Sequence, residues 1–225
     1  MIKAIIFDWD DVIVAGSTKG YINCYHETLS RLGVFLEAEE EKRRIFENWG
    51  KAPKAELSGL LKEHPGKLDE AYRLYDGILL NSDTFVNCVK PINGVNILLE
   101  NLAKKYALAI ATGIHPVLLK KIMDKFNTPK VFSKIISAYD IEEKNQKPSP
   151  YSLNEIMAFL KVKSEETIYV GDAKNDVLMA RNARIEPIVV LTGHLSKSEA
   201  EVLKVKHIIP DVTEIEEVLE SIGSK

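Results

Sequence analysis

Two aspartates close an apolar run near the start of the chain. Ile5, Ile6 and Phe7 are β-prone and show no polar alternation, which is typical of a strand buried on both faces of a parallel sheet. Asp8 and Asp10 follow, and side chains two residues apart in an extended segment point the same way, about 6–7 Å apart. A phosphoryl group fits between two such carboxylates, one of which can attack it while the other handles a proton. The alternative is a solvated strand end in which an aspartate caps a turn.

A second acidic pair follows a later apolar run. Asp172 comes directly after Gly171, and Asp176 lies one helical turn further on, so the two carboxylates can share a site. Together with Asp8 they provide the hard oxygen ligands that favour magnesium. The alternative is a pair of acids that only stabilises the N-terminal dipole of a helix.

Three further residues have chemistry suited to an anionic oxygen. Thr112 offers a hydroxyl and Gly113 an accessible backbone N–H, just before a helix that opens at Pro116. Thr112 could instead cap that helix. Lys147 precedes Pro148, which favours an extended conformation, and from there it can reach over the strand ends as a point charge. The alternative for Lys147 is an ordinary surface lysine.

The charge balance of these groups favours a bound cation. Asp8, Asp10, Asp172 and Asp176 would converge with only Lys147 to offset them. Four carboxylates and one ammonium repel a phosphate dianion, and a divalent cation that bridges Asp8 and a phosphoryl oxygen would resolve the conflict. The sequence therefore predicts Mg2+ as the cofactor.

The elements that must position these side chains alternate between strands and helices from residue 91 onward. Such alternation predicts an α/β fold with a parallel sheet and right-handed crossovers, which binds ligands beyond the carboxyl ends of its strands. Before it, residues 12–14 are expected to continue extended from the first strand. The predicted strands are 5–7, 107–112, 134–137, 167–170, 188–191 and 207–209, and the predicted helices are 95–105, 116–126, 149–160, 174–183 and 213–222.

A helical block interrupts this fold just after the first strand. Helices are expected at 17–32, 37–49, 54–63 and 68–81, and Ser17 or Thr18 is expected to cap the first of them. The predicted domains are therefore an α/β core of residues 1–15 and 91–225 and a helical cap of residues 16–90. Because the block leaves the sheet at its carboxyl edge, it can act as a lid with hinges at Gly16 and at 91–94.

Composition narrows the choice of partners. The 225 residues are 45% hydrophobic and carry a net charge of −3, which gives no general attraction to nucleic acid or to an anionic membrane. The N-terminal apolar run is too short for a signal peptide or a membrane span, so a cytoplasmic location and a small phosphorylated metabolite as the partner are expected. Cys24 and Cys88 are expected to be thiols rather than a disulfide or a metal pair. The sequence leaves monomer or homodimer open.

Taken together, these motifs resemble the haloacid dehalogenase-like hydrolase superfamily, most of whose members are phosphatases. Asp8-Trp9-Asp10-Asp11-Val12 is similar to its first motif and Thr112 to its second. Lys147 is similar to the third, and Gly171-Asp172 with Asp176 to the fourth. The helical insert resembles the α-helical cap of the phosphoglycolate phosphatase and β-phosphoglucomutase branch. The resemblance implies a Rossmann-like parallel sheet core with an inserted α-helical bundle cap.

The resemblance also implies a mechanism. Asp8 would attack phosphorus in line and form an aspartyl-phosphate, and Asp10 would protonate the leaving alkoxide and then deprotonate the attacking water. Thr112, the Gly113 N–H and Lys147 would hold the transferring phosphoryl group.

The resemblance further implies a ligand set and a specificity loop. Mg2+ would bind to Asp8, the backbone carbonyl of Asp10, Asp172 and Asp176. Gly50 and Lys51, which follow Trp49, would lie in the substrate-specificity loop of this branch. Alternatively, Trp49 only packs in the cap and Lys51 is solvated.

The chain departs from the family pattern after Asp10. Asp11 stands where many members have glycine, and Val12 where many have threonine, so Asp11 either tunes metal binding or faces solvent. Besides the phosphatase, a phosphomutase, a dehalogenase and a phospho-accepting receiver module are considered. Asp10 argues against a dehalogenase, which has no alkoxide to protonate. The Ser137-Ala138 pair after the third strand argues against a receiver, which would carry its phospho-accepting aspartate there.

Overall fold

The computed structural model describes residues 1–50 and 53–223. The chain forms two compact units, an α/β unit that combines Met1–Ala15 with the chain from Lys90 onward, and a helical unit of Gly16–Val89. Among the described residues, no helix is long and apolar enough to cross a membrane.

The α/β unit is built on a six-stranded parallel sheet. Its strands and the two short strands beside it are β1 (Ala4–Phe7), β2 (Val14–Ala15), β3 (Lys90–Pro91), β4 (Ala107–Thr112), β5 (Phe132–Ser137), β6 (Thr167–Gly171), β7 (Glu186–Val190) and β8 (His207–Ile209). The sheet order is β5-β4-β1-β6-β7-β8, and β2 pairs with β3 in a separate antiparallel ladder. Every residue of β1 and β6 is buried, as expected for apolar strands covered on both faces. The predicted parallel α/β fold is confirmed.

Register brings the carboxyl ends of the central strands to one edge. Phe7 of β1 is level with Ile110 of β4 and Val170 of β6, so Asp8 emerges beside Ala111 and Gly171, one residue before Thr112 and Asp172. Asp8 continues the ladder by donating its N–H to the carbonyl of Val170 over 2.8 Å.

In the described part of this unit, six helices connect or flank the strands. One face of the sheet packs Ile6, Ala109 and Tyr169 against Ile156 and Met179 in a single apolar cluster. The helix at 197–202 was not predicted; it begins at a capping box in which Ser196 and Glu199 bond each other's backbone N–H. The helices are α5 (Val95–Ala103), α6 (Pro116–Lys125), α7 (Tyr151–Leu160), α8 (Lys174–Asn182), α9 (Lys197–Val202) and α10 (Ile215–Gly223).

The helical unit contains α1 (Ser17–Arg31), α2 (Ala38–Asn48), α3 (Pro53–Leu60) and α4 (Leu68–Asn81). Its core holds α1 against α4 through the stacked rings of Tyr25 and Tyr75, whose centroids are 4.6 Å apart. Arg44 of α2 is buried and bonds the Glu63 carboxylate and the Leu60 carbonyl, which ties α2 to the end of α3.

Two local predictions in the segment after β1 are wrong. Val12 and Ile13 are not extended, because they lie in a turn closed by N–H bonds to the Trp9 carbonyl, and only Val14, the first residue of β2, is extended as predicted. Neither Ser17 nor Thr18 caps α1: the cap position is taken by Gly16, at φ 93°, without a side-chain hydrogen bond. An added Cβ on Gly16 would lie 2.2 Å from the Cys88 carbonyl oxygen, so glycine is required there by space as well as by conformation.

Candidate active site

The end of β1 presents Asp8 to a buried polar cluster. Asp8 is 7% exposed, and its Oδ1 accepts the N–H of Trp9 over 2.7 Å. Asp10 follows in the turn at 10–13, where its side chain is half-buried. The first aspartate is therefore fixed by the strand and the second by the turn.

Lys147 lies between two carboxylates. Its Nζ is 2.9 Å from Oδ2 of Asp8 and 2.7 Å from Oδ1 of Asp176. The side chain is only 20% exposed, so the alternative of an ordinary surface lysine is wrong. Its Nζ also lies 5.7 Å from the centre of the Tyr169 ring, within the range of a cation–π contact.

Asp176 is the most extensively bonded carboxylate of the cluster. Its Oδ2 accepts the N–H groups of Asp172 (3.1 Å) and Ala173 (3.0 Å) at the start of α8. Its Oδ1 accepts the Lys147 ammonium and the Tyr169 hydroxyl (3.0 Å). A carboxylate has about four lone-pair positions, so these four donors fill the acceptor positions of Asp176.

Tyr169 was missed from the sequence. It lies in β6, fully buried, and its hydroxyl bonds both Asp176 and, over 3.2 Å, the Ala111 carbonyl of β4. The one available signal was its place two residues before Gly171, which points it to one face of a buried strand. A buried tyrosine needs a partner for its hydroxyl, and the nearest polar groups are those of the predicted site.

Asp172 completes the acidic cluster. It is 3% exposed, and ligand oxygens of Asp8, Asp172 and Asp176 all lie within 4.8 Å of one another. Its Oδ2 accepts the His194 N–H over 2.9 Å, from the loop after β7. The sequence did not point to that loop.

Burial and mutual repulsion set the electrostatics of the cluster. Burial raises the pKa of Asp8 above its ordinary value against the opposing effect of Lys147. Burial, with the charges of Asp176 and Asp8, raises the pKa of Asp172 well above its ordinary value. For Asp176, burial acts in the same direction, but the Lys147 ammonium and the hydrogen bonds outweigh it and lower the pKa. The single positive charge of Lys147 does not neutralise three buried carboxylates. The negative charge of Asp172 is the one that nearby positive charge offsets least.

The donor set fits a hard divalent cation. Asp8 and Asp172 offer carboxylate oxygens at one edge of the sheet, and such oxygens are the ligands that Mg2+ prefers. Additional positive charge here would offset the carboxylates that Lys147 leaves uncompensated. Direct binding to Asp176 stays a prediction, because its oxygens accept the four hydrogen bonds described above.

Thr112 and Gly113 lie at the end of β4, beside β1. Thr112 is 3% exposed, and its Oγ1 accepts the Ile114 N–H over 3.3 Å. The alternative that Thr112 caps α6 is wrong, because the His115 imidazole accepts the Val117 N–H there. An added Cβ on Gly113 would meet nothing within 4 Å, so the backbone is open to approach.

The predicted specificity residues belong to the helical unit. Gly50 donates its N–H to Oε1 of Glu56 over 2.8 Å. Trp49 packs between Phe46 and Tyr21, with ring centroids 5.6 and 6.0 Å away. Lys51 lies outside the described residues. Substrate binding by Gly50 and Lys51 stays a prediction.

The backbone conformation of Asp11 distinguishes this position in the turn after Asp10. Its φ is 54°, in the left-handed region that glycine adopts freely and aspartate tolerates. It is 4% exposed, so the interpretation that it faces solvent is wrong. The Thr192 hydroxyl donates to its carbonyl oxygen over 2.5 Å.

Burial lowers the pKa of the nearby His194 imidazole, against the opposing charges of Asp11 and Asp176.

Known proteins share both sequence and fold with this chain. The pyrophosphatase PpaX of Halalkalibacterium halodurans is 35% identical over 103 residues, which is 45% of this chain and about half, 47%, of that relative. A phosphoglycolate phosphatase of Aquifex aeolicus is 27% identical over 94% of this chain and 91% of its own length. A solved hydrolase of the haloacid dehalogenase-like family from Streptococcus pneumoniae superposes with a TM-score of 0.76 at 20% identity, over 97% of this chain and 98% of the other.

The sequence model of one family, described as haloacid dehalogenase-like hydrolase, matches residues 5–190. This range runs from the strand before Asp8 to the end of β7 and includes Thr112, Lys147, Asp172 and Asp176. The predicted family is confirmed. The chain therefore belongs to the haloacid dehalogenase-like hydrolases.

Proposed function

We propose that this chain is a magnesium-dependent phosphatase that hydrolyses small phosphate monoesters through an aspartyl-phosphate on Asp8. The observation that supports this most directly is the Lys147 ammonium, 2.9 Å from Asp8 and 2.7 Å from Asp176, beside the acidic group that contains Asp172. A buried lysine that faces an acidic group at strand ends is an arrangement suited to an incoming anion and a cation together.

Asp8 is the proposed nucleophile. One of its oxygens attacks phosphorus in line with the leaving alkoxide, the P–O bond to that alkoxide breaks, and Asp10 supplies the proton that the alkoxide takes up. Asp10 then removes a proton from the water that attacks the aspartyl-phosphate, which releases phosphate and restores Asp8.

Lys147, Thr112 and Gly113 are the proposed phosphoryl-binding groups. The Lys147 ammonium offsets charge on the non-bridging oxygens. It is positioned by Asp176, whose Oδ1 also accepts the Tyr169 hydroxyl. The Thr112 hydroxyl and the Gly113 N–H are the proposed donors to those oxygens.

Asp8 and Asp172 are the proposed carboxylate ligands of Mg2+, with the Asp10 carbonyl as a third ligand. When bound, the cation supplies positive charge that stabilises the transferring phosphoryl group. Asp172 is held in place for this role by the His194 N–H.

The names of the relatives suggest the first substrates to test. One relative is named a pyrophosphatase and another a phosphoglycolate phosphatase, so pyrophosphate and phosphoglycolate head the panel. We propose that the helical unit, through Gly50 and Lys51, selects among small phosphorylated metabolites, as loops commonly do.

The function is tested with a panel of phosphorylated metabolites in Mg2+, using wild type, Asp8→Asn and a control, Asp124→Asn, which changes an exposed carboxylate on α6. We expect phosphate release by wild type and by the control, its loss in EDTA, its return with Mg2+, and none from Asp8→Asn. Mass spectrometry of quenched wild type is expected to show the phosphate adduct on Asp8. Turnover by a folded Asp8→Asn protein would refute the mechanism, and transfer of phosphate between sugar positions instead of to water would indicate the phosphomutase.

A further inference from the structure

We propose that the loop 192–195, which follows β7, is a positioning element for Asp172, and that Gly193 is required in it for tight binding of a divalent cation. The inference rests on the proposed function only for the cation; the contacts that support it lie within the α/β unit. The loop carries no acid or lysine, which is why its residue types did not suggest a role.

The loop holds Asp172 through main-chain donors. The His194 N–H donates to Oδ2 of Asp172 and the Leu195 N–H to its carbonyl oxygen, both over 2.9 Å. One bond fixes the carboxylate and the other the backbone, so the side chain has little freedom to turn away. Leu195 is 8% exposed and packs with Val177 and Val189, which anchors the loop to the core.

Only glycine fits at position 193, because any side chain there would overlap Asp172. A Cβ added there would lie 1.9 Å from Oδ2 of Asp172 and 2.5 Å from both its Cβ and its Cγ. Carbon atoms in contact are normally about 3.5–4.0 Å apart, so an alanine would push the Asp172 side chain by about 1 Å. Because the Cβ of Asp172 is itself too close, rotation of the carboxylate does not relieve the overlap. A carboxylate moved by this distance no longer matches a cation held by Asp8.

The other end of the loop reaches the segment after β1. The Thr192 hydroxyl donates to the Asp11 carbonyl over 2.5 Å, one residue beyond Asp10. The loop therefore connects the two strand ends that carry the proposed ligands, that of β1 with Asp8 and Asp10 and that of β6 with Asp172. It sets the separation between those ligands, which a small cation with strict octahedral geometry requires.

The expected effect is on metal affinity in the absence of substrate. Loss of groups that orient metal ligands typically weakens metal binding by about 10–100-fold, and we expect Gly193→Ala to fall in this range. Thr192→Val removes one hydrogen bond without adding bulk, and we expect a smaller loss in the same direction.

The test is a calorimetric titration of the full chain with Mg2+ and Mn2+, without substrate, for wild type, Gly193→Ala, Thr192→Val and Gly77→Ala. Gly77 is the matched control, because an added Cβ there meets nothing within 4 Å. Thermal unfolding in EDTA reports whether each variant folds. If Gly193→Ala does not fold, Thr192→Val decides.

The outcomes separate the inference from the proposed function. Weakened cation binding by folded variants, with Gly77→Ala unchanged, supports the inference. Wild-type affinity in a folded Gly193→Ala or, failing that, in Thr192→Val overturns it and leaves the phosphatase proposal intact. Absence of binding to wild type overturns the proposed cation site and the inference together. A purely structural defect would lower the unfolding temperature without changing the affinity of the folded protein.

Discussion

Replacement of Lys147 by methionine removes the one ammonium of the buried cluster and keeps an unbranched apolar stem. The Nζ bonds Asp8 and Asp176, which are 7% and 2% exposed. Removing one partner of a buried ion pair typically costs about 3–5 kcal/mol, because the remaining charge is left uncompensated. We expect Lys147→Met to lower the free energy of unfolding by about 3–5 kcal/mol at pH 8 in EDTA.

The pH dependence of that loss has a definite sign. In the wild type, Lys147 helps to keep the folded-state pKa of Asp176 below its ordinary value of 3.8, so its contribution to stability is present above that value and is lost as the pH falls through the folded-state pKa. Without Lys147, burial raises the folded-state pKa of Asp176 above its unfolded value, and the pKa of Asp8, already raised in the wild type, rises further. Protonation then relieves the repulsion as the pH falls. The stability difference between wild type and variant should therefore shrink from pH 8 to pH 5.

Urea unfolding followed by tryptophan fluorescence measures the free energy of unfolding at pH 8 and its change down to pH 5, since Trp9 is fully buried beside Asp8. Lys144→Met is the control: that lysine is 75% exposed and pairs with the exposed Glu142, and we expect its loss to change stability by at most about 1 kcal/mol. A loss below about 1 kcal/mol for Lys147→Met at pH 8 would refute the reasoning. So would a difference that grows as the pH falls.

Two further substitutions or labels probe the buried groups. Tyr169→Phe removes the hydroxyl that holds Asp176, so it should lower turnover and cost about 0.5–1.5 kcal/mol of stability. The control is Thr167→Val at the other end of the same strand, which should cost similar stability and leave turnover unchanged. Equal turnover in the two variants would contradict the positioning role of Tyr169. Burial raises the pKa of the Cys24 thiol to about 12. A disulfide reagent at pH 8 should therefore label the half-buried Cys88 first and Cys24 only in urea. Simultaneous labelling of both thiols in the folded protein would argue against the burial of Cys24.

The sequence was sufficient where residue chemistry and strand periodicity agreed. Asp8, Lys147, Asp172 and Asp176 each carry charge at the end of a buried run, and parallel strands bring such ends to one edge, so their convergence could be inferred before the structure was known. Their separate roles as ligand, nucleophile and phosphate-binding group stay predictions.

Other parts of the site had no such signal. Tyr169 is an apolar-strand residue by position, and only the tertiary structure puts its hydroxyl against Asp176. The His194 contribution is a backbone N–H, which every residue except proline carries, so its identity could not reveal it. The strong β propensity of Val12 and Ile13 favours extended chain, but hydrogen bonds to the Trp9 carbonyl override it and close a turn, and the chain becomes extended only at Val14.

Asp11 shows how one residue can depart from a family pattern and still fit the site. The position demands a left-handed backbone, which costs aspartate less than most residues because its short polar side chain tolerates that region. The carbonyl at this position accepts the Thr192 hydroxyl, and any residue in the same conformation presents the same carbonyl. The backbone role of the position is thus independent of the side chain, so an acid can replace glycine here without loosening the connection between the β1 end and the loop that holds Asp172.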